Sequence, residues 1–383
     1  MIALDRCAIY LRYVLDHVYC YLYSVSHRIS MRDIYNLRIW IIYASLIQFL
    51  LIVSPVMYFI YAVSSLILFH LMMRVEERFD IPASSVVAHN IKVRRSDDTQ
   101  NTNTYHTILG EWAGMRPYME DRTLVLDSLN IYGIFDGHSG SDMSEFMVNN
   151  FEKYYEHIEH TKYSKLRRLI NTIERLERGA KMNRVRGGST CVVVQILRDS
   201  ILCSSVGDSE AHIFMSDSTI VPLTSAHTFS RFDEYYAYCT KHRSSKKHPL
   251  HVSNTIRTCT GLMPTRTIGD FKHKSRDPAL ISEPETRSVR IDSKQWEVII
   301  IGSDGIFDRL SPRRIIDEMY RARIMTEDEC GHMYDLSDYN IYGLMQRLGQ
   351  ITTSYPSSYD KVRDIYGGDN CSICILINQN QAG

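Results

Sequence analysis

From Ile39 to Met73 the chain contains no Asp, Glu, Lys or Arg. As one straight helix this run would be about 52 Å long, against a hydrocarbon core about 30 Å thick. Ser54-Pro55 lies near its middle, and proline bends or breaks a helix. The pattern therefore predicts either one kinked, tilted membrane span or a hairpin of two short segments. Arg28, Arg32 and Arg38 precede the run, and Arg74, Arg78, Lys92, Arg94 and Arg95 follow it. Basic flanks stay in the cytosol, which favours the hairpin, since a single span would violate the rule at one end. A buried helical hairpin of a soluble protein is the competing reading. A cleaved signal peptide fits poorly, because residues 1–38 mix Asp5, Arg6, Arg12 and Asp16 with tyrosines and the apolar run starts late.

Past a polar, aperiodic stretch at 89–106 that reads as a linker, the pattern changes. Apolar runs at 122–128, 131–135, 190–197, 200–206, 298–303 and 371–377 are rich in Val, Ile, Leu and Cys and predict strands. Helices are predicted over 141–158 and 163–181. In the second, Leu166, Leu169, Ile170, Ile173 and Leu176 recur at three- and four-residue steps. Its opposite face carries Arg167, Arg168, Arg175 and Arg178 among Glu174 and Glu177 and reads as solvated. Ser311 before Pro312 marks a further helix start, running to about Arg323.

Composition adds little. The chain has 383 residues, and its 44 Lys+Arg balance 44 Asp+Glu, so net charge points to no nucleic-acid partner. The 9 cysteines are dispersed, as in a reducing compartment. Cys371 and Cys374 have no second pair or nearby histidines and read as small strand residues.

Candidate chemistry sits where the strands end. Glu120-Asp121 precedes the first strand, Asp136 ends the second, and Gly207-Asp208 follows "ILCSSV". Asp304 and Asp308 follow "VIIIGS", and Asp369-Asn370 precedes "CSICILI". Each alone is ordinary turn chemistry. Together they would repel one another, and hard divalent cations relieve that by binding several oxygens. Two such ions can share a bridging carboxylate and activate a water. In "IYGIFDGHSG" Asp136 is the candidate bridge, Gly137 would bring its carbonyl to one ion, and His138 would protonate a leaving oxygen. Arg116 would grip a phosphate. Two rival motifs fail. Ser139 is no nucleophile elbow, since residue 141 is Ser rather than Gly. Asp136 starts no EF-hand loop, since its third position is His138.

The segments "GMRPYMED", "IYGIFDGHSG", "GGSTCVVVQI", "CSSVGDSEAHIF", "LTSAH", "PTRTIGD", "EPE", "VIIIGSDGIFDRLS" and "GGDNCSICILI", in this order, resemble the metal-dependent Ser/Thr protein phosphatases of type 2C. The resemblance covers about residues 108–378. It implies an α+β fold, a four-layer sandwich of two central antiparallel sheets flanked by helices, here preceded by the hydrophobic membrane segment. It implies hydrolysis of phosphoserine or phosphothreonine in a protein substrate by a water activated between two Mg²⁺ or Mn²⁺ ions, without a phosphoenzyme. Carried over by motif, Asp136 bridges both ions, Glu120 and the Gly137 carbonyl serve one, and Asp304 and Asp369 serve the other. Asp208 with Asp304 and Asp308 would form a third site. Asp121 would orient water, Arg116 would bind phosphate, and His138 would act as general acid. Departures are Ala226 where the family usually has Asp, and Thr265 where Ser is usual; neither position carries an ion ligand.

The resulting organisation is a cytosolic or interfacial segment at 1–38, a membrane hairpin or span at 39–73, a linker at 74–107, the phosphatase domain at 108–378 and a tail at 379–383. The expected protein is a membrane-anchored phosphatase whose domain faces the cytosol. The alternatives are a pseudophosphatase acting as a binding module, which the full carboxylate set argues against, and a phosphatase of small phosphomonoesters. The flap beside the site should lie within about 228–262. There "KHRSSKKHPLH" reads as a solvated loop, or as a patch attracting acidic substrates or an anionic membrane.

Overall fold

A strand buried on both faces alternates its side chains between two cores, and Cys371–Asn378 does so. Cys371, Ile373, Ile375 and Ile377 enter one cluster, while Cys374 and Leu376 enter another. The two cysteines therefore point to opposite faces of one sheet and cannot act as a pair. The computed structural model describes residues 9–10, 12–19, 92–95, 105–114, 116–158, 163–242, 247–252, 255–291, 296–328, 331–353 and 369–378.

One sheet runs in the order β1 (Lys92–Arg95), β2 (Tyr105–Trp112), β18 (Cys371–Asn378), β15 (Trp296–Gly302), β9 (Glu210–Met215) and β10 (Ile220–Pro222). The second runs β14 (Glu285–Arg290), β8 (Ser200–Val206), β7 (Cys191–Ile196), β4 (Ile131–Phe135) and β3 (Arg122–Leu126). Neighbours in both sheets are antiparallel. The sheets face each other across Tyr132, Ile134, Val192, Val194, Ile299 and Ile301. Helices Pro312–Arg321 and Asp338–Thr353 cover the outer face of the first sheet through Ile315, Met319, Leu344 and Leu348. Helices Asp142–Glu156 and Lys165–Met182 cover the second through Met147, Phe151, Leu169 and Ile173. The result is helix, sheet, sheet, helix. Ser311 caps its helix as expected, accepting from Arg314 N–H, with Pro312 in the first turn.

Three expectations are corrected. The polar linker at 74–107 contains β1, at the sheet edge where backbone pairing needs no apolar side chain, and the first residues of β2, where Tyr105 packs into the core between the sheets. Arg168 is buried rather than solvated: its guanidinium lies 4.0 Å from the Tyr155 ring centroid and donates to the Tyr155 carbonyl. The flap region is structured, with helix Phe232–Lys241 and the hairpin β11 (Leu250–Val252) and β12 (Thr255–Arg257). His242, in the stretch read as a solvated loop, is buried.

Residues 12–19 are helical and lie on this flap. The Tyr13 ring meets Phe232 and Tyr235 edge-on, each with 5.3 Å between centroids. The Tyr13 hydroxyl donates to the Ser230 carbonyl, and Asp16 pairs with His251 at 2.9 Å. Among the described residues no helix is long and apolar enough to cross a membrane. The run 39–73 lies outside them.

Candidate metal centre

Antiparallel register gathers the acidic corners. Arg122 pairs with Phe135, so Asp121 before β3 and Asp136 after β4 lie side by side. Gly302 pairs with both Ile373 and Glu210, which places Asp304, Asp369 and the Gly207-Asp208 turn at the same end. Small pieces finish this rim. β5 (Gly137–His138) pairs with β6 (Gly188–Ser189), which pairs with β13 (Ile268–Gly269). The Asp136 backbone exchanges hydrogen bonds with Thr190, accepting from Thr190 N–H at 2.8 Å.

The carboxylates raise one another's proton affinity. Burial, then the Asp304 charge, push Asp121 up to about 8. Burial and the charges of Asp121, Asp304, Asp208 and Asp369 lift Asp136 well above the usual carboxylate range. Asp304 is lifted likewise by burial and by Asp208, Asp308 and Asp369. Burial and Asp308 push Asp208 up to about 7. Asp308 stands at the exposed rim and is raised as well, by lost hydration first. Both oxygens of Asp121, only 1% exposed, and Oδ1 of Asp304 have no hydrogen-bond partner among the described residues. Oxygen-only donors, crowded, buried and partly orphaned, fit a hard divalent cation. Gly137 fits the same reading: a Cβ there would lie 2.5 Å from the Glu120 carbonyl oxygen, so only glycine lets these backbones meet.

The remaining expected residues are placed as follows. The Glu120 carboxylate accepts from Gly140 N–H at 2.5 Å, and its own N–H donates to Asn370 Oδ1. Asn370 thus ties the two acidic loops together, and its amide also reaches the Ala113 and Tyr118 carbonyls. Arg116 Nη2 donates to Asp369 Oδ2 at 2.9 Å; the two are 43% and 44% exposed, so this pair is water-screened and separable. His138 stands beside the cluster and shares its Nε2 with Asp270 Oδ2 at 2.6 Å.

Asp270 is a functional candidate that sequence reasoning missed. Burial works to raise its pKa, yet the hydrogen bond and charge of His138 hold it below the usual range. Its φ of 49° is left-handed, a conformation Asp tolerates better than most residues. A carboxylate after the glycine of "PTRTIGD" was visible, but its partner is 132 positions away. The two departures are accounted for locally. The Thr265 hydroxyl donates to Glu234 and the His227 carbonyl, as a serine would. His227, beside Ala226, contacts the Gly207 backbone and so steadies the Asp208 turn.

A family model described as protein phosphatase 2C matches residues 106–330. The chain belongs to the protein phosphatase 2C family. Among relatives of this family, the chain is 30% identical over 218 residues to Probable protein phosphatase 2C 2 of Arabidopsis thaliana, covering 53% of this chain and 54% of that one. It is 27% identical over 219 residues to Protein phosphatase 1L of Bos taurus, covering 52% and 58%. The chain thus spans about half the length of the curated relatives it matches. A serine-threonine phosphatase 2C from Toxoplasma gondii shares the fold, with a TM-score of 0.53 and 16% identity over 75% of this chain and 99% of that one. A C. elegans sex determining protein does so with a TM-score of 0.56 and 19% identity, over 73% and 66%. The four layers are therefore those of a protein phosphatase 2C domain.

Proposed function

We propose that the chain is a metal-dependent phosphatase of phosphoserine and phosphothreonine in proteins. The observation that carries this reading is the convergence of buried Asp121 and Asp208 with half-buried Asp136 and Asp304, all mutually repelling, in a chain of this family. Asp136, Glu120, the Gly137 carbonyl, Asp304 and Asp369 would hold two Mg²⁺ or Mn²⁺ ions, and Asp208 with Asp304 and Asp308 a third. When bound, the ions supply Lewis-acid charge and lower the pKa of water. Asp121 has two unengaged oxygens to orient that water and accept from it. Arg116, exchanging Asp369 for substrate, fixes the phosphoryl oxygens. The water oxygen forms a bond to phosphorus as the ester P–O bond breaks. The electron pair leaves with the seryl or threonyl oxygen, which takes its proton from His138, positioned by Asp270.

The test is hydrolysis of a phosphothreonine peptide by the purified chain with Mn²⁺, with Mg²⁺ and with chelator. Metal-dependent turnover is expected, and Asp136→Asn should abolish it, because an amide cannot bridge two cations as a carboxylate does. A folded chain inert with every metal would make it a binding module instead, and near-normal turnover in Asp136→Asn would sink the two-ion assignment.

Residues 39–73 are proposed as a membrane anchor with the domain on the cytosolic side, on the strength of their uncharged run and basic flanks. Excising 39–73 while keeping the N-terminal helix should move the protein from the membrane to the soluble fraction. Continued sedimentation with membranes would place the anchor elsewhere.

A further inference from the structure

Three potential ligands meet beside the flap, at the C-terminal end of the short helix that Asp270 begins. His242 caps helix Phe232–Lys241, Cys259 follows β12, and Asp277 caps helix Phe271–Arg276. Asp277 and His242 are 0% and 3% exposed, and Cys259 is half-buried. His242 Nε2 lies 2.7 Å from Asp277 Oδ1, and Cys259 Sγ lies 3.2 Å from Asp277 Oδ2. One ligand atom from each residue falls within 4.8 Å of the other two.

We propose that His242, Cys259 and Asp277 form a zinc-class metal site in the flap, separate from the oxygen-only centre. One nitrogen, one sulfur and one oxygen are a poor set for Mg²⁺ or Mn²⁺ and a good one for Zn²⁺. Ligand atoms around a tetrahedral zinc sit about 3.3–3.8 Å apart, given metal–ligand bonds of about 2.0–2.3 Å. The His242–Asp277 and Cys259–Asp277 spacings, 2.7 and 3.2 Å, lie just below that range. Charge also balances. Thiolate, carboxylate and neutral imidazole carry two negative charges between them, and Zn²⁺ makes the buried cluster neutral. Binding releases the Cys259 thiol proton to solvent, and water takes the fourth position. Without metal the same atoms form a hydrogen-bonded network in which Tyr238 Oη and Ala279 N–H also donate to Asp277. This network holds the ligands in place before an ion arrives.

The site has a mechanical route to the active centre. Helix Phe271–Arg276 begins at Asp270, which holds His138, and ends at Asp277. Among the described residues, the groups near Cys259 and His242 include Lys247, which reaches the Arg276 carbonyl, His248, and the Tyr238 ring, 4.7 Å from that of His242.

The test uses the full chain, stripped with chelator and titrated with Co²⁺ under excess Mg²⁺, which keeps the oxygen centre occupied. One Co²⁺ per chain should give the near-ultraviolet thiolate-to-cobalt charge-transfer band, and Zn²⁺ should displace it. Cys259→Ser and His242→Ala should lose the band, and Asp136→Asn should keep it. A band that survives in Cys259→Ser, or no band in the folded wild type, would leave a hydrogen-bonded network only and overturn the proposal. Should those variants fail to fold, Zn²⁺ protection of Cys259 from alkylation in the wild type decides it. Protection of about tenfold or more, with Cys239 as internal control, supports the site; equal labelling with and without Zn²⁺ refutes it.

Discussion

Asp270 and His138 form a pair in which each explains the other's geometry. A histidine that donates a proton to a leaving group needs its ring fixed, and a buried aspartate needs a partner. Asp270→Asn keeps the shape and removes the charge. The expected result is a fall in kcat on a phosphothreonine peptide of about tenfold or more, out of the 10²–10⁴ that a general acid contributes. An aryl phosphate, whose leaving group needs no proton, should lose far less. Equal losses on both substrates would assign Asp270 a structural role only. The acidic corners were legible because Asp and Gly at strand ends are local signals. Asp270 was not, because nothing in a linear sequence pairs positions 138 and 270. Arg168 shows the opposite failure: its place among charges suggested solvent, and only the neighbouring Tyr155 ring explains its burial.

At the scale of elements, the short strands β5, β6 and β13 do more than their length suggests. β6 runs directly under the His138–Asp270 pair, and a Cβ at Gly188 would collide with Asp270 Oδ2 and lie 2.5 Å from His138 Nε2. Gly188→Ala should therefore leave the four layers folded and separate the pair. Its signature is a kcat loss that matches Asp270→Asn and does not add to it in the double variant; additive losses would mean two independent effects. Two-residue strands carry no hydrophobic period, so none of this was predictable from pattern. The central strands were, since Ile131–Phe135 and Cys191–Ile196 are buried on both faces and read as continuous apolar runs. Helix Asp338–Thr353 was missed because its first turns, with Asp338, Tyr339 and Asn340, are as polar as a loop, while Leu344 and Leu348 supply its buried face.

For the whole molecule, the acidic rim couples folding to protons. Asp121 and Asp208 are pushed up to about 8 and about 7, and Asp136 and Asp304 are raised too. Raised folded-state values mean that the folded chain binds more protons than the unfolded one between about pH 4 and 8. Stability of the metal-stripped chain from these groups is thus greatest below that window and is lost as pH rises through it. Cations offset the same repulsion, so the gain in Tm from Mg²⁺ or Mn²⁺ should grow from pH 5 to pH 8. A gain independent of pH would mean that the carboxylates do not face the ions. The four-layer architecture was legible because nine motifs in order carry it. The seating of the chain's first helix on the flap was not, because it joins Tyr13 to Ser230 across 217 positions without a covalent constraint. That seating makes the protein a natural candidate for fragment complementation. Cut at an engineered protease site between residues 20 and 91, the short piece should co-elute with the long one on gel filtration, and Tyr13→Ala should set it free.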